Sequence, residues 1–94
     1  MKTRTTVNVK GRVQGVAFRH HTARMAAKLQ VSGWVMNLGD GSVQACFEGE
    51  EDAVREMVQW CRSGPDLAQV DELVEQRGDY TGEFSGFGIR QGND

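Results

Sequence analysis

The chain has 94 residues, a net charge of −2 at pH 7 and two cysteines. This length predicts a single domain over residues 1–94 with a modest core. The slight negative charge argues against a general nucleic-acid binder, which normally presents a basic surface. No apolar run is long enough to span a membrane, and residues 1–4 lack the apolar core of a signal peptide, so the cytoplasm is the expected compartment.

The first third of the chain changes its hydrophobic period once. Residues 5–10 alternate between polar and apolar side chains, which predicts a half-buried strand. From Phe18 the apolar residues recur at helical spacing, and this helix is expected to end near Gln30. The stretch Gly11–Arg19 therefore joins a strand to a helix.

A hairpin is predicted in the middle of the chain. Residues 33–37 are rich in β-forming residues, and residues 42–48 alternate. Between them, Asp40-Gly41 is a strong signal for a tight reversal, so the two strands are expected to pair antiparallel. The second strand has two faces, with Val43, Ala45 and Phe47 on one and Gln44, Cys46 and Glu48 on the other.

A second amphipathic helix follows the hairpin. Acidic residues at 50–52 suit a helix start because they stabilise the positive end of the helix dipole. Apolar residues then recur at helical spacing up to Cys61, and Gly64-Pro65 ends the helix.

Two further strands are expected after this helix. Residues 68–76 form the first, and their apolar side chains are out of step, which predicts a bulge or an edge position. A short final strand is expected within residues 84–90, followed by a frayed tail over 91–94.

The order of elements is β-α-β-β-α-β with an added terminal strand, which predicts a ferredoxin-like α+β fold. In that arrangement an antiparallel sheet carries both helices on one face, so one sheet face is expected to be buried. Because this fold hosts many functions, the function has to be argued from individual side chains.

The residues that most often bind metals do not form a site in this sequence. Cys46 and Cys61 lack the spacing of a zinc site and are expected to be small buried residues. His20 and His21 are adjacent, so on a helix they diverge by about 100° and do not chelate one ion together. The acidic cluster at 50–52 is interpreted as a solvated helix start.

The glycine loop has the features of an anion site. Gly11 and Gly15 permit a tight curl that turns several N–H groups into one concavity. Arg19 stands at its far edge, where a helix begins and the helix dipole also favours negative charge. On the residues alone, an ordinary strand-to-helix turn with Arg19 in solvent stays open, since neither the dinucleotide fingerprint nor the P-loop pattern is present.

Two stretches resemble the signatures of the acylphosphatase family. The first is Gly-Arg-Val-Gln-Gly-Val-Ala-Phe-Arg, residues 11–19. The second is Gly-Trp-Val-Met-Asn-Leu-Gly-Asp-Gly-Ser-Val, residues 33–43, and it continues to Gly49. Residues 60–65 and 84–87 also resemble the family, so the likeness covers nearly the whole chain.

This resemblance implies a small stand-alone enzyme that hydrolyses the carboxyl–phosphate bond of acyl phosphates without a metal or other cofactor. It assigns the phosphoryl-binding arginine to Arg19 and the asparagine that positions water to Asn37. The phosphate-binding backbone N–H groups that it implies are those of Gln14, Gly15, Val16, Ala17 and Phe18. Ala17 is smaller than the residue that many family members carry, which implies a wider entrance to the site.

Other functions stay open on the residues themselves. A phosphate- or carbamoyl-phosphate-binding module of this fold would keep the loop without turnover, and Asn37 alone also suits an amide that bonds its own hairpin. An RNA-binding module would need exposed aromatic residues on the central strands, and residues 43–47 offer only Phe47 on the core face. We expect a small-molecule acyl phosphate substrate, no nucleic-acid or membrane partner, and a monomer, because no large apolar surplus remains outside the core.

Overall fold

The computed structural model describes residues 1–91, in which five strands and two helices follow the order β-α-β-β-α-β-β. The elements are β1 (Lys2–Arg12), α1 (Phe18–Leu29), β2 (Ser32–Asn37), β3 (Val43–Glu50), α2 (Glu51–Cys61), β4 (Gln69–Gly78) and β5 (Phe87–Arg90). The predicted ferredoxin-like α+β fold is confirmed. Residues 92–94, which hold most of the predicted tail, lie outside the described residues.

The two central strands, β1 and β3, carry the core. The sheet order is β4-β1-β3-β2-β5, and in the antiparallel register Val7 lies opposite Ala45 while Val9 lies opposite Val43. One face of both strands is therefore apolar along its length. The buried side chains of the helices join this face in one core, and they are Phe18, Thr22, Ala26, Val54, Met57, Val58 and Cys61.

The fourth strand has the irregularity that its sequence predicts. It lies at the sheet edge, where Lys10 pairs with Glu72 but Gly11 pairs with Val70. Asp71 is thus an extra residue on β4, and a bulge of this kind lets both Val70 and Leu73 pack against the core. The same bulge lies beside the end of β1, where the glycine loop begins.

The last strand, Phe87–Arg90, lies within the range predicted for it. It pairs parallel with β2, so the sheet is mixed and the expectation of a wholly antiparallel sheet is wrong. The reason is the route of the chain: β4 ends beside Arg4 at the far end of the sheet, and β5 begins at that same end on the opposite edge. Residues 79–86, which we call the crossover segment, make that connection.

The crossover segment covers part of the sheet face that carries no helix. Glu48 lies on this face and is fully buried, although we expected one sheet face only to be buried. Its carboxylate accepts hydrogen bonds from the Thr81 backbone N–H at 2.9 Å and the Gly82 N–H at 3.0 Å. Arg4 lies 3.3 Å from the same carboxylate, so a charged side chain is buried here with its partners supplied.

The surroundings of Glu48 also determine its protonation. Burial by itself would raise the pKa of Glu48, but the hydrogen bonds from Thr81 and Gly82 and the charge of Arg4 outweigh it. The pKa of this carboxyl group therefore lies below its ordinary value. The carboxylate form is the one that holds the crossover segment.

Both cysteines are buried and unbonded, which confirms that they are small interior residues. Burial raises the pKa of the Cys46 thiol, and it raises the pKa of the Cys61 thiol to about 12. Within residues 1–91, neither helix has the length and apolar character needed to cross a membrane.

Candidate active site

The loop between β1 and α1 contains two residues with positive φ, as an anion nest requires. Gly15 has a φ of 76° and Ala17 a φ of 60°, whereas Val16 between them is not in the left-handed region. Alternation of left- and right-handed residues turns successive N–H groups toward one point, which makes a concavity for an anion. A positive φ is sterically unfavourable for a residue with a Cβ atom. Gly15 avoids this cost because it has no Cβ, whereas Ala17 adopts the left-handed conformation despite its Cβ.

The start of α1 adds further unpaired donors to this loop. Ala17 is the N-cap residue and provides no side-chain hydrogen bond, and the first turn of the helix has no acidic residue. The N–H groups of the first turn therefore lack a side-chain acceptor, and the positive end of the helix dipole points at the loop. Such a helix start favours a negatively charged ligand.

Arg19 and Asn37 meet beside this loop. Together with Gly15, Ala17, Phe18 and Ile89 they line a cavity of about 200 Å³, which we call the loop pocket. Arg19 is half-buried, and no carboxylate among residues 1–91 forms an ion pair with it. Its guanidinium is thus available to an anion in the pocket.

Asn37 reaches the loop pocket because it is the last residue of β2. It pairs with Val43, so its side chain lies on the face of the sheet that the helices cover. The carboxamide oxygen Oδ1 is buried and accepts no hydrogen bond within the described residues. It does not bond its own hairpin, whose turn is closed instead by the Leu38 N–H donating to the Ser42 carbonyl at 2.8 Å.

The structure separates the five loop residues that the resemblance singles out. Gly15, Ala17 and Phe18 line the loop pocket, but Gln14 and Val16 do not. The ring of Phe18 belongs to the buried core. Val16 points to a neighbouring groove on the other side of the loop.

Gln14 has a side-chain contact that the sequence analysis missed. Its amide nitrogen Nε2 donates to the Leu38 carbonyl at 2.8 Å and to the Ser42 carbonyl at 2.9 Å. Both acceptors belong to the turn that follows Asn37. The side chain of Gln14 therefore links residues 11–19 directly to residues 33–43, the two stretches that resemble the family signatures. No local sequence pattern around Gln14 indicates this contact.

Two other residues of the loop pocket were also missed. His20 follows Arg19 on α1, and Ile89 arrives on β5 because that strand runs parallel with β2 toward the loop. Both are exposed. Over residues 1–91, no group of three His, Cys, Asp or Glu side chains is placed to hold a metal ion.

Fold and site together define a ferredoxin-like α+β protein in which a loop with two positive-φ residues, an arginine and an asparagine line one cavity. A sequence model described as Acylphosphatase matches residues 5–89. The chain belongs to the acylphosphatase family. It is an enzyme of that family, and it hydrolyses acyl phosphates.

Individual relatives agree with this assignment over almost the full chain. An acylphosphatase of Geobacter sulfurreducens is 57% identical over 90 residues, which cover 96% of this chain and 99% of the relative. A solved acylphosphatase from Coxiella burnetii superposes with a TM-score of 0.90 at 35% identity, covering 95% of this chain and 93% of that one. The acylphosphatase from Bacillus subtilis gives a TM-score of 0.89 at 31% identity, with 96% and 99% covered.

Proposed function

We propose that the loop pocket is the active site and that Arg19 and Asn37 carry the reaction. In this mechanism the phosphoryl oxygens of an acyl phosphate are held by Arg19 and by the backbone N–H groups of Gly15, Ala17 and Phe18, the three of the five predicted loop residues that line the loop pocket. Asn37 positions the water that attacks phosphorus. The products are a carboxylate and inorganic phosphate.

Three features of the loop pocket favour the negatively charged phosphoryl group. In this proposal the loop around Gly15 and Ala17 supplies backbone N–H donors, α1 begins at the pocket with the positive end of its dipole, and Arg19 adds a planar fork of donors. Donors fixed before the substrate arrives stabilise developing charge without reorganising. These donors therefore stabilise the negative charge on the three phosphoryl oxygens while the bond from phosphorus to the acyl oxygen breaks.

The observation that carries the proposal is the unpaired oxygen of Asn37. A buried amide oxygen without a hydrogen bond costs about 1–3 kcal/mol, so a water that donates to it recovers that cost. Asparagine takes no proton as a general base, but its oxygen orients a water so that a lone pair faces phosphorus. Alignment of this kind removes much of the entropic barrier to attack.

The chemistry of acyl phosphates fits so small a set of residues. The water oxygen forms a bond to phosphorus while the bond from phosphorus to the acyl oxygen breaks, and the carboxylate leaves with the electron pair. A carboxylate is already a good leaving group, so no strong general acid is needed. In this mechanism a phosphoryl oxygen accepts one proton of the attacking water and the water oxygen keeps the other, so the product leaves as dihydrogen phosphate and then releases a proton to the solvent.

Two variants test the roles separately in a phosphate-release assay with benzoyl phosphate. We expect Arg19→Ala to lower the rate by about 10²–10³-fold and to weaken inhibition by inorganic phosphate. Asn37→Ala should lower kcat while leaving phosphate inhibition largely intact. If both variants hydrolyse benzoyl phosphate at the wild-type rate, the assignment is wrong.

Matched controls are available for both positions. Arg24→Ala removes an exposed arginine from the same helix. Asn8→Ala removes the other asparagine whose Oδ1 is buried and unpaired, but this residue lies on β1 outside the loop pocket. Both controls should retain wild-type turnover.

The remaining expectations concern the setting of the enzyme. We propose that residues 1–94 act as one monomeric domain in the cytoplasm on small molecules, with no nucleic-acid partner. The two unbonded cysteines are usual for a reducing compartment. Light scattering of the purified chain and salt-dependent retention on RNA test the monomer and the absence of RNA binding, and a mass of two chains or retention at low salt would contradict them.

A further inference from the structure

A second concave surface begins at the rim of the loop pocket. This groove, of about 460 Å³, shares Gly15 and Ala17 with the loop pocket and continues over Val16, Trp60, Pro65 and Leu67. We call it the Trp60 groove. Two of its lining residues, His21 and Asp66, are polar.

We propose that the Trp60 groove binds the acyl group of the substrate and favours uncharged apolar acyl groups, aromatic or branched. This inference rests on the proposed function of the loop pocket. It extends that function by assigning the part of the substrate that the phosphoryl site does not hold.

Connectivity places the acyl group at the rim. Only one oxygen separates phosphorus from the acyl carbon, so an acyl group whose phosphoryl group lies in the loop pocket is held at the rim of that pocket, part of which is the edge of the loop. That edge is low: a Cβ atom at Gly15 would have no heavy atom within 4 Å, and Ala17 is exposed and small. Beyond it lies the Trp60 groove.

The groove combines polar groups with apolar side chains that are partly open to solvent. Leu67 is 75% exposed and is one of five large hydrophobic residues with high exposure among residues 1–91. An apolar ligand that covers such a side chain removes hydrophobic surface from water. Among the residues that line the groove, none is Lys or Arg, and Asp66 disfavours a second anion.

The groove is also formed before any ligand arrives. Trp60 packs against Phe18 with ring centroids 5.6 Å apart, and Phe18 directly follows the loop. The opposite wall is closed by turns in which Gly64 N–H donates to the Trp60 carbonyl at 2.8 Å and Ala68 N–H donates to the Pro65 carbonyl at 2.9 Å. A site that needs no ordering loses less affinity on binding.

The test compares acetyl, butyryl and benzoyl phosphates, each across the same set of variants. For each substrate the rate of a variant is divided by the wild-type rate, so the intrinsic reactivity of that substrate does not affect the comparison. We expect Leu67→Ser to lower kcat/KM for benzoyl phosphate about threefold to tenfold and for butyryl phosphate less, with acetyl phosphate changed by less than about twofold. Inhibition by inorganic phosphate should be unchanged, since the phosphoryl site is intact.

Two other variants make the result specific. Val74→Ser is the matched control, because Val74 is 49% exposed but lies on β4 away from the groove. Ile89→Ser tests the competing route, because Ile89 is 48% exposed and lines the loop pocket from the other side. We expect that neither Val74→Ser nor Ile89→Ser changes the ratio of the kcat/KM for benzoyl phosphate to that for acetyl phosphate.

Each failure has a distinct meaning. If the wild-type enzyme hydrolyses all three substrates and Leu67→Ser affects them equally, the groove assignment is overturned and the proposed function stands. The same holds if Ile89→Ser, and not Leu67→Ser, changes the selectivity. If the wild-type enzyme hydrolyses none of them, the proposed function and this inference are both overturned.

Discussion

Gln14 is bound to Leu38 across 24 positions of the chain, through a hydrogen bond of 2.8 Å from its side-chain amide to the backbone carbonyl. The bond joins the glycine loop to the turn that follows Asn37, and a second bond to Ser42 reinforces it. In the proposed mechanism the phosphoryl donors lie on one of these segments and the water-positioning residue on the other. Their relative position therefore depends on this glutamine.

We predict that Gln14→Glu impairs the enzyme more than Gln14→Ala. Alanine removes two donated hydrogen bonds at a cost of about 1–2 kcal/mol in the free energy of unfolding. Glutamate has almost the same shape but places a carboxylate oxygen against the carbonyl oxygens of Leu38 and Ser42. It therefore loses both hydrogen bonds and also introduces electrostatic repulsion. The kcat should fall in the same order, with a smaller change in inhibition by phosphate.

The measurement is urea unfolding together with kcat for each variant. Gln59→Ala is the control, since Gln59 is exposed on α2. A Gln14→Glu variant as stable and active as Gln14→Ala would show that the amide does not act by donating to the turn.

We predict that Gly64→Ala destabilises the protein by about 2 kcal/mol. Gly64 has a φ of 70°, and a Cβ atom there would lie 2.7 Å from Cε2 of Phe18. Phe18 is buried and packs against Trp60, so its ring has no free space into which to move. Thermal unfolding should show a decrease in Tm of about 8–16 °C for a domain of this size.

Gly86→Ala is the control for this substitution. No heavy atom lies within 4 Å of a Cβ built on Gly86, and its φ is outside the left-handed region. Its Tm should stay close to that of the wild type. Equal losses at positions 64 and 86 would contradict the argument from the Phe18 contact.

We predict that Glu48 makes the stability depend on pH. Its pKa in the folded protein is lowered, so its contribution is present above the unfolded pKa of about 4.3 and is lost as the pH falls through the folded pKa. Glu48→Gln should lower the free energy of unfolding by about 1–3 kcal/mol at pH 7. The difference between the variant and the wild type should shrink below about pH 4.

The neighbouring Glu83 is the control for Glu48. Its side chain is 57% exposed and pairs with Arg4 at the surface, so Glu83→Gln should cost less than about 1 kcal/mol. Urea unfolding at several pH values gives both comparisons. A constant difference between Glu48→Gln and the wild type from pH 3 to pH 7 would refute this role of the carboxylate.

We predict that neither thiol reacts while the protein is folded. Burial raises the pKa of Cys46, and that of Cys61 to about 12, so little thiolate exists at pH 8. Burying the neutral Cys61 thiol also affects stability, because the unfolded pKa of cysteine is about 8.5. The folded protein keeps its full stability below that pH, and it loses this contribution as the pH rises toward 12. Titration with a coloured disulfide reagent should detect two thiols in denaturant and none in the native protein, and rapid native labelling would contradict the burial argument.

Local patterns predicted most of the elements correctly. Alternation in residues 5–10 and helical spacing before Cys61 each reflect burial on one face, which is a property of a short stretch of chain. The bulge in β4 was predicted for the same reason, since Val70 and Leu73 are out of step with a regular strand. The proposed catalytic roles of Arg19 and Asn37 came from resemblance, because no local rule distinguishes either residue from an ordinary polar side chain.

The sequence alone determined the succession of strands and helices and the two family-like stretches, because hydrophobic period, turn residues and motifs are properties of neighbouring positions. Only the tertiary structure decided that Gln14 binds the turn after Asn37, that the crossover segment buries Glu48, and that β5 brings Ile89 to the loop pocket. Each of these contacts joins residues at least 24 positions apart. Such contacts depend on how the elements pack in space, and the pattern of any one segment does not record its distant partner.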